Sequence, residues 1–161
     1  MVSKQEMLMA HARIAPFIHR TPVMTSTLVN AAVGAELYFK CENLQKIGAF
    51  KIRGATNTLR SMTAEALRGG ACTHSSGNHA QAVAYAARAL GIPAYIVMPS
   101  TSSAVKKAAV AAYGAKIYEC EPTQAAREAM AAQVMAETGA AFVHPYDDDR
   151  IIAGQGLVRT R

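Results

Sequence analysis

The chain has 161 residues, of which 51% are apolar and only 17% are charged, with 17 Lys and Arg against 11 Asp and Glu for a net charge of +6. This composition excludes an intrinsically disordered chain and suits one globular domain or two small ones. Because the chain has no Trp and only 6% aromatic residues, few side chains are available to stack on bases, and we expect no nucleic-acid partner.

The three cysteines lie far apart and show no metal-ligand spacing: Cys41, Cys72 and Cys120. They predict neither a disulfide framework nor a metal site. Charged residues interrupt the N-terminal stretch where a signal peptide needs a continuous apolar segment, and no run approaches the ~20 apolar residues that span a bilayer. We therefore expect a soluble, cytoplasmic protein with no membrane partner and no metal.

Short β-branched or aromatic runs alternate with longer Ala-rich segments, and Gly or Pro marks most junctions, which is typical of an α/β protein. The predicted helices are 63–68, 78–90, 103–113 and 123–138, preceded by one that Ser26 or Thr27 caps and Gly34 ends. The predicted strands are 37–41, 71–74, 94–98, 116–120 and 141–144. Between residues 71 and 144 strands and helices alternate, so right-handed crossovers should build a parallel sheet flanked by helices. Residues 1–66 form a less regular unit that packs on it.

A first segment whose residues suit catalysis is KCENLQKIGAFKIRGA at 40–55, in which Lys51 stands between Phe50 and Ile52. A lysine held among apolar neighbours has its ammonium form disfavoured, which frees the amine for Schiff-base chemistry. The alternative is an ordinary amphipathic helix start with Lys51 and Arg53 in solvent. Spacing alone favours this alternative.

A second segment, HSSGNHAQ at 74–81, lies between a predicted strand and a long predicted helix. Backbone N–H groups and small hydroxyls at such a turn can bind a carboxylate or a phosphate. Ordinary helix capping by Ser76 or Asn78 explains the same residues and is the commoner case for one motif alone. Taken singly, His79 and His144 are interpreted as structural histidines. The side chains available for additional hydrogen bonds are Ser75, Ser76 and Asn78.

Together the two motifs resemble the serine/threonine dehydratase and serine racemase family of fold-type-II pyridoxal-phosphate (PLP) enzymes. KxENxQxxGAFKxRGA precedes SSGNHAQA, and PYDDDRIIAGQG at 145–156 resembles a third landmark of that family. The resemblance covers essentially the whole chain up to Gly156 and corresponds to an N-terminal half. It implies a small α/β domain over 67–145, with 1–66 and 146–161 forming part of a large domain.

The resemblance implies a role for each residue of the two motifs. Lys51 would form the Schiff base with PLP and move the α-proton on one face, with Phe50 beside the ring. Asn78 would hydrogen-bond the phenolic oxygen of the cofactor. Ser76 stands where serine racemases and hydroxyaspartate dehydratases place a serine on the opposite face. The turn that would hold the substrate carboxylate is Ser75, Ser76, Gly77, Asn78 and His79.

The implied activity is that of a PLP-dependent ammonia-lyase (dehydratase) or a racemase acting on L-serine, L-threonine or 3-hydroxyaspartate. In either case the cofactor is an electron sink for the carbanion formed when the α-proton leaves. Loss of the β-hydroxyl leads to a 2-oxo acid and ammonia, whereas reprotonation by Ser76 racemises the amino acid. The sequence leaves the substrate and the reaction open.

Residues 157–161 do not resemble the family, and the glycine-rich loop that grips the cofactor phosphate falls outside the resemblance. The partner of the pyridine nitrogen and the acidic ligands of a divalent cation are likewise not found. These departures predict a truncated or frameshifted gene, or a chain cut short, with weak PLP binding, negligible turnover, and self-association or a homodimer.

Two other hypotheses remain open at this point. The chain is either a non-catalytic remnant or binding module that pairs with a full-length homologue, or an unrelated basic α/β protein that binds a nucleotide or a nucleic acid. The paired motifs disfavour the second.

Overall fold

A computed structural model describes residues 1–158. The strands in these residues are Val23–Met24 (β1), Phe39–Lys40 (β2), Ala71–His74 (β3), Ala94–Pro99 (β4), Lys116–Cys120 (β5) and Ala141–Phe142 (β6). The α-helices are Lys4–Ile14 (α1), Thr27–Val33 (α2), Lys51–Ser61 (α3), Asn78–Leu90 (α4), Ala104–Ala112 (α5), Gln124–Thr138 (α6) and Asp149–Gly156 (α7). Short 3-10 turns lie at Ala15–Phe17, Glu42–Leu44 and Lys46–Gly48.

Strands β3 to β6 form one parallel sheet in the order β5-β4-β3-β6. Ala71 of β3 lies opposite Ala94 of β4 on one side and opposite Ala141 of β6 on the other. Helices α4, α5 and α6 connect these strands in chain order, because parallel neighbours require a crossover. The α/β fold with a parallel sheet and flanking helices is therefore confirmed. Strands β1 and β2 form a separate antiparallel pair.

The residues that mark helix ends in the sequence act as caps in the structure. The side chains of Ser26 and Thr123 accept hydrogen bonds from backbone N–H groups in the first turns of α2 and α6. Gly34, Gly91 and Gly139 close α2, α4 and α6 in the left-handed conformation, with φ of 66°, 69° and 70°. Glycine adopts this conformation without steric cost, so each helix stops where predicted.

The helix predicted at 63–68 is wrong, since these residues form hydrogen-bonded turns instead. Thr63 accepts hydrogen bonds from the N–H groups of Ala66 and Leu67. The chain then passes so close to the end of α6 that a Cβ on Gly69 would lie 2.4 Å from the Gly139 carbonyl oxygen. This tight passage leaves no room for a regular helix before β3.

Other boundaries differ from the sequence prediction because pairing partners limit the strands. The strand predicted at 37–41 is reduced to β2, which pairs only with the two residues of β1. The strand predicted at 141–144 ends after Phe142, where pairing with β3 stops. The sequence pattern does not predict α1 or α7, and it offers α3 only as an alternative reading of the Lys51 motif.

The two faces of the sheet contribute to different cores. Ile96 and Met98 of β4 pack in the core that also holds Ile52 and Leu59 of α3, whereas Val97 packs in the core beneath α6. This alternation follows from the two-residue period of a strand. Helix α3 packs on α4 and α7, and α4 packs on β3 and β4 within the same core. Helix α4 thus connects α3, and with it Lys51, to the sheet.

Helix α7 joins the same core through Ile151. The buried side chain of Asn57 on α3 connects three helices, because its Oδ1 accepts from Arg13 of α1 and its Nδ2 donates to the Arg150 carbonyl of α7. The division into a small domain at 67–145 and a partial large domain at 1–66 and 146–161 stays a prediction. Residues 159–161 of that division lie outside the described residues.

We expect Gly154→Ala to destabilise the crossing of α3 and α7. A Cβ at Gly154 would lie 2.8 Å from the Arg53 carbonyl oxygen and 2.8 Å from the Gly54 Cα. The shifts that such overpacking forces lower the free energy of unfolding by about 1–3 kcal/mol. Gly156→Ala is the matched control on the same helix, because its Cβ would meet only the flexible Met7 side chain. Urea unfolding should show a larger loss of unfolding free energy for Gly154→Ala than for Gly156→Ala. Equal losses would contradict the close approach of α3 and α7.

Among the described residues, no helix is long and apolar enough to cross a membrane.

Apolar side chains are exposed on β1, on α2, on β2 and on the turn that follows β2. Exposed apolar clusters and short unpaired strand edges favour association. The exposed side chains are Val23, Met24, Leu28, Val29, Val33, Tyr38, Phe39 and Leu44.

We therefore expect the 161-residue chain to form dimers or larger species as its concentration rises, measured by multi-angle light scattering. Leu28 is 84% exposed and Val33 is 56% exposed, so the double change Leu28→Ser, Val33→Ser should reduce association without altering the core. A monodisperse monomer at high concentration would contradict this expectation.

Candidate active site

Lys51 begins α3 and is half-buried rather than solvated. Its Nζ donates a hydrogen bond to the Pro145 carbonyl oxygen at 2.7 Å and lies 5.5 Å from the centre of the Phe50 ring. Burial lowers the pKa of the Lys51 ammonium, because the charged form loses hydration. The amphipathic-helix alternative is right that a helix begins at Lys51, but it is wrong that Lys51 and Arg53 lie in solvent, because Lys51 is half-buried and Arg53 is buried.

The segment before Lys51 has an unusual backbone. Ile47 and Gly48 are both left-handed, with φ of 62° and 69°, and a β-branched residue rarely adopts this conformation. Gln45 holds the segment in place, since its buried amide accepts from the His19 N–H and donates to the His19 carbonyl. Strain of this kind persists only where the surroundings impose it, and here it precedes the candidate reactive lysine.

A buried ion pair anchors the same segment to α3. The guanidinium of Arg53 donates two hydrogen bonds of 2.8 Å to the carboxylate of Glu42, which also accepts from the Thr21 hydroxyl. Burial raises the pKa of the Glu42 carboxyl, but the hydrogen bonds from Arg53 and Thr21 and the charges of Arg53 and Lys40 outweigh it and leave the pKa lowered. Glu42 is therefore ionised wherever the protein is folded near neutral pH.

The turn between β3 and α4 is held to the sheet at its start. The N–H of Ser75 donates to the Val97 carbonyl of β4, and the N–H of Gly77 donates to the Ser75 hydroxyl. Gly77 is the N-cap of α4 and supplies no side-chain cap. The capping alternative for Ser76 or Asn78 is therefore wrong.

The first turn of α4 presents unpaired backbone donors. The leading N–H groups of a helix have no partner within it, and within residues 1–158 no group accepts from the N–H of Asn78 or His79. The Asn78 side chain is exposed and the Ser76 side chain is half-buried. These donors and the positive end of the helix dipole suit a carboxylate.

His79 differs from its neighbours in the turn because its imidazole is buried. Its Nε2 lies 3.1 Å from the Val143 carbonyl oxygen, and since a carbonyl only accepts, we assign the proton to Nε2. Burial lowers the pKa of His79 to about 4; the hydrogen bond to Val143 opposes this shift, and the charges of Lys51, His144 and His74 add to it. The imidazole is therefore neutral at physiological pH.

The segment that follows β6 lies between the two motifs. Val143 accepts from His79, Pro145 accepts from Lys51, and Nδ1 of His144 accepts from the N–H groups of Tyr146 and Asp147. Residues separated by more than 60 positions in sequence thus meet at one place, at the carboxyl ends of β3 and β6. Within residues 1–158, His, Cys, Asp and Glu form no group that could hold a metal ion.

Sequence reasoning missed several residues of this region. Val143 and Pro145 act through backbone carbonyls, which carry no signal in a sequence. The strain at Ile47 also has no signal, because isoleucine is not a residue expected at positive φ. The Glu42 and Arg53 pair could have been found in part, since Glu42 is the only acidic residue in the basic 40–55 motif.

A family model of pyridoxal-phosphate dependent enzymes matches residues 14–159. The chain belongs to this family. It is 53% identical over 152 residues to a β-hydroxyaspartate dehydratase of Paracoccus denitrificans (strain Pd 1222). This alignment covers 94% of the chain and 48% of the relative. It is 52% identical over 149 residues to a serine racemase of Arabidopsis thaliana, covering 92% of the chain and 45% of the relative.

The solved structure of maize serine racemase superimposes with a TM-score of 0.96 at 48% identity, over 98% of this chain and 48% of the maize chain. The chain spans about half the length of the curated relatives that it matches. The recognised family and the fold are thus both confirmed. PLP is the cofactor of the family.

The residues of this pyridoxal-phosphate-family site fit the cofactor. Burial lowers the pKa of the Lys51 amine, and the neutral amine is the form that bonds to an aldehyde. The exposed Phe50 ring lies beside that amine. The backbone donors of Asn78 and His79 have no partner within residues 1–158, as a ligand site requires. The other residues expected to contact the ligands are Ser75, Ser76 and Gly77.

Proposed function

We propose that this chain supplies the lysine-bearing part of a PLP-dependent active site that acts on a small hydroxy amino acid. The observation that carries the proposal is that Lys51 and His79 are hydrogen-bonded to the same short segment. Lys51 bonds to the Pro145 carbonyl and His79 to the Val143 carbonyl. The relatives named as a β-hydroxyaspartate dehydratase and a serine racemase support this class of substrate. The partner is a small amino acid rather than a nucleic acid or a membrane.

Each group has a distinct task in this proposal. PLP, when bound, supplies an electron sink for the carbanion left by the α-proton. Lys51 would hold the cofactor through Nζ, and its neutral amine, which burial favours, would accept the α-proton. Phe50 would lie beside the cofactor ring, and Asn78 would hydrogen-bond its phenolic oxygen. The backbone donors of the 75–79 turn bind the substrate carboxylate and fix its orientation.

The net dehydratase reaction converts the hydroxy amino acid into a 2-oxo acid and ammonia, since the water lost from the β-carbon is regained in the final hydrolysis. Racemisation instead requires a proton donor on the face opposite Lys51. Ser76 is the candidate, because the family resemblance implies a serine on that face at this position, and its side chain is half-buried. Both outcomes use the same first proton transfer.

The test is a product assay on protein supplied with PLP and offered L-serine, L-threonine or 3-hydroxyaspartate. Release of 2-oxo acid and ammonia indicates the dehydratase, and appearance of the D-isomer, lost in Ser76→Ala, indicates the racemase. For the 161-residue chain alone we expect PLP on Lys51 and negligible release of product. Absence of PLP from Lys51 would overturn the proposal in favour of a binding module that pairs with a full-length homologue. We also propose a cytoplasmic location, supported by three free cysteines within residues 1–158.

A further inference from the structure

We infer that His79 is a positioning residue: its buried imidazole ties the 75–79 turn to the 143–145 segment, and this segment in turn orients the amine of Lys51. The inference rests on the proposed function, because it assigns a supporting role within that site. It gives the His79 side chain a task different from substrate binding, which the turn performs through its backbone.

The first link is the hydrogen bond between His79 Nε2 and the Val143 carbonyl at 3.1 Å. His79 is only 3% exposed, so water cannot replace this bond if it is broken. The Thr73 hydroxyl donates to the same carbonyl at 2.7 Å, which uses both lone pairs of that oxygen. The N–H of Val143 is bound to the Cys72 carbonyl. Both the carbonyl and the N–H of Val143 are therefore hydrogen-bonded.

The second link is the hydrogen bond from Lys51 Nζ to the Pro145 carbonyl at 2.7 Å. Only His144 lies between Val143 and Pro145, so a displacement of Val143 is transmitted to the acceptor of the lysine. Because the half-buried Lys51 donates to this segment, loosening the segment would free the amine to be hydrated. The buried His79 imidazole thereby couples the orientation of Lys51 to the turn that binds the substrate carboxylate.

The experiment measures the pH dependence of reductive methylation of Lys51 in the cofactor-free chain, with formaldehyde and cyanoborohydride and quantification by peptide mass spectrometry. His79→Asn leaves an amide too short to reach Val143, whereas His79→Gln extends a donor to about the position of Nε2. Surface Lys106 serves as the internal reference for reagent reactivity. The charges closest to the imidazole are those of Lys51, His144 and His74, and none is altered in either variant.

We expect the Lys51 midpoint to rise by about 0.5–1 pH unit in His79→Asn, because hydration of the ammonium is restored, and to stay near the wild-type value in His79→Gln. An unchanged midpoint in His79→Asn, or an equal rise in both variants, would overturn the inference. If His79→Asn does not fold, Thr73→Val removes the other donor to the same carbonyl and must shift the midpoint in the same direction. Since methylation needs no cofactor, a failure of wild-type protein to bind PLP would refute the proposed function separately.

Discussion

Lys51→Ala is expected to abolish the covalent attachment of PLP at position 51. Borohydride reduction of wild-type chain incubated with PLP should leave the cofactor on Lys51, detectable by peptide mass spectrometry, because burial keeps a neutral fraction of this amine available. In protein that turns over substrate, the same change should lower kcat by about 10²- to 10⁴-fold, the usual contribution of a positioned general base.

The matched control is Lys46→Ala, which removes a lysine of the same motif. Nζ of Lys46 lies 5.9 Å from the centre of the Tyr85 ring, and Lys46 has no assigned role in the site. Labelling of Lys51 should persist in this variant. Labelling spread evenly over surface lysines, and unaffected by Lys51→Ala, would mean that the buried amine is not the reactive group.

Arg53→Met is expected to destabilise the fold strongly, because it leaves the Glu42 carboxylate without its main partner. The side chains of Arg53 and Glu42 are only 5% and 11% exposed. Removing one member of a buried ion pair typically costs about 3–5 kcal/mol, since the remaining charge is desolvated and unpaired. Urea denaturation monitored by far-UV circular dichroism measures this loss as a shift of the midpoint.

The control for this prediction is Arg68→Ala, which breaks an exposed ion pair. Arg68 and Glu65 are paired while 77% and 72% exposed, and such pairs contribute about 0–1 kcal/mol. Comparable losses for Arg53→Met and Arg68→Ala would show that burial of the Arg53 pair does not matter to stability.

The buried pair also predicts acid sensitivity of a definite sign. The pKa of Glu42 is lowered in the folded chain, so its ionised form contributes stability above the unfolded-state pKa, and this contribution is lost as the pH falls through the folded-state value. Glu42→Gln should therefore flatten the decline in stability below about pH 4.5. An identical acid profile in wild type and Glu42→Gln would contradict the assignment.

Much of the sheet unit could be predicted because its signals are local. Val97 and its neighbours form a β-branched run, Thr123 and Gly139 mark the ends of one helix, and Gly91 marks the end of another. The prediction failed at 63–68, where helix propensity is local but the tight passage of Gly69 past Gly139 is not. Contacts between distant segments override local preference in such places.

The sequence by itself determined the family, and it indicated the candidate lysine and the glycine-containing turn, because long motifs of particular residue types carry them. Only the tertiary structure decided that Lys51 is half-buried and held by Pro145, and that His79 turns its imidazole toward Val143. Both acceptors are backbone carbonyls more than 60 residues away in sequence. Every residue except proline carries the same backbone N–H and C=O groups, so no residue pattern indicates which of them will meet, and folding alone makes that choice.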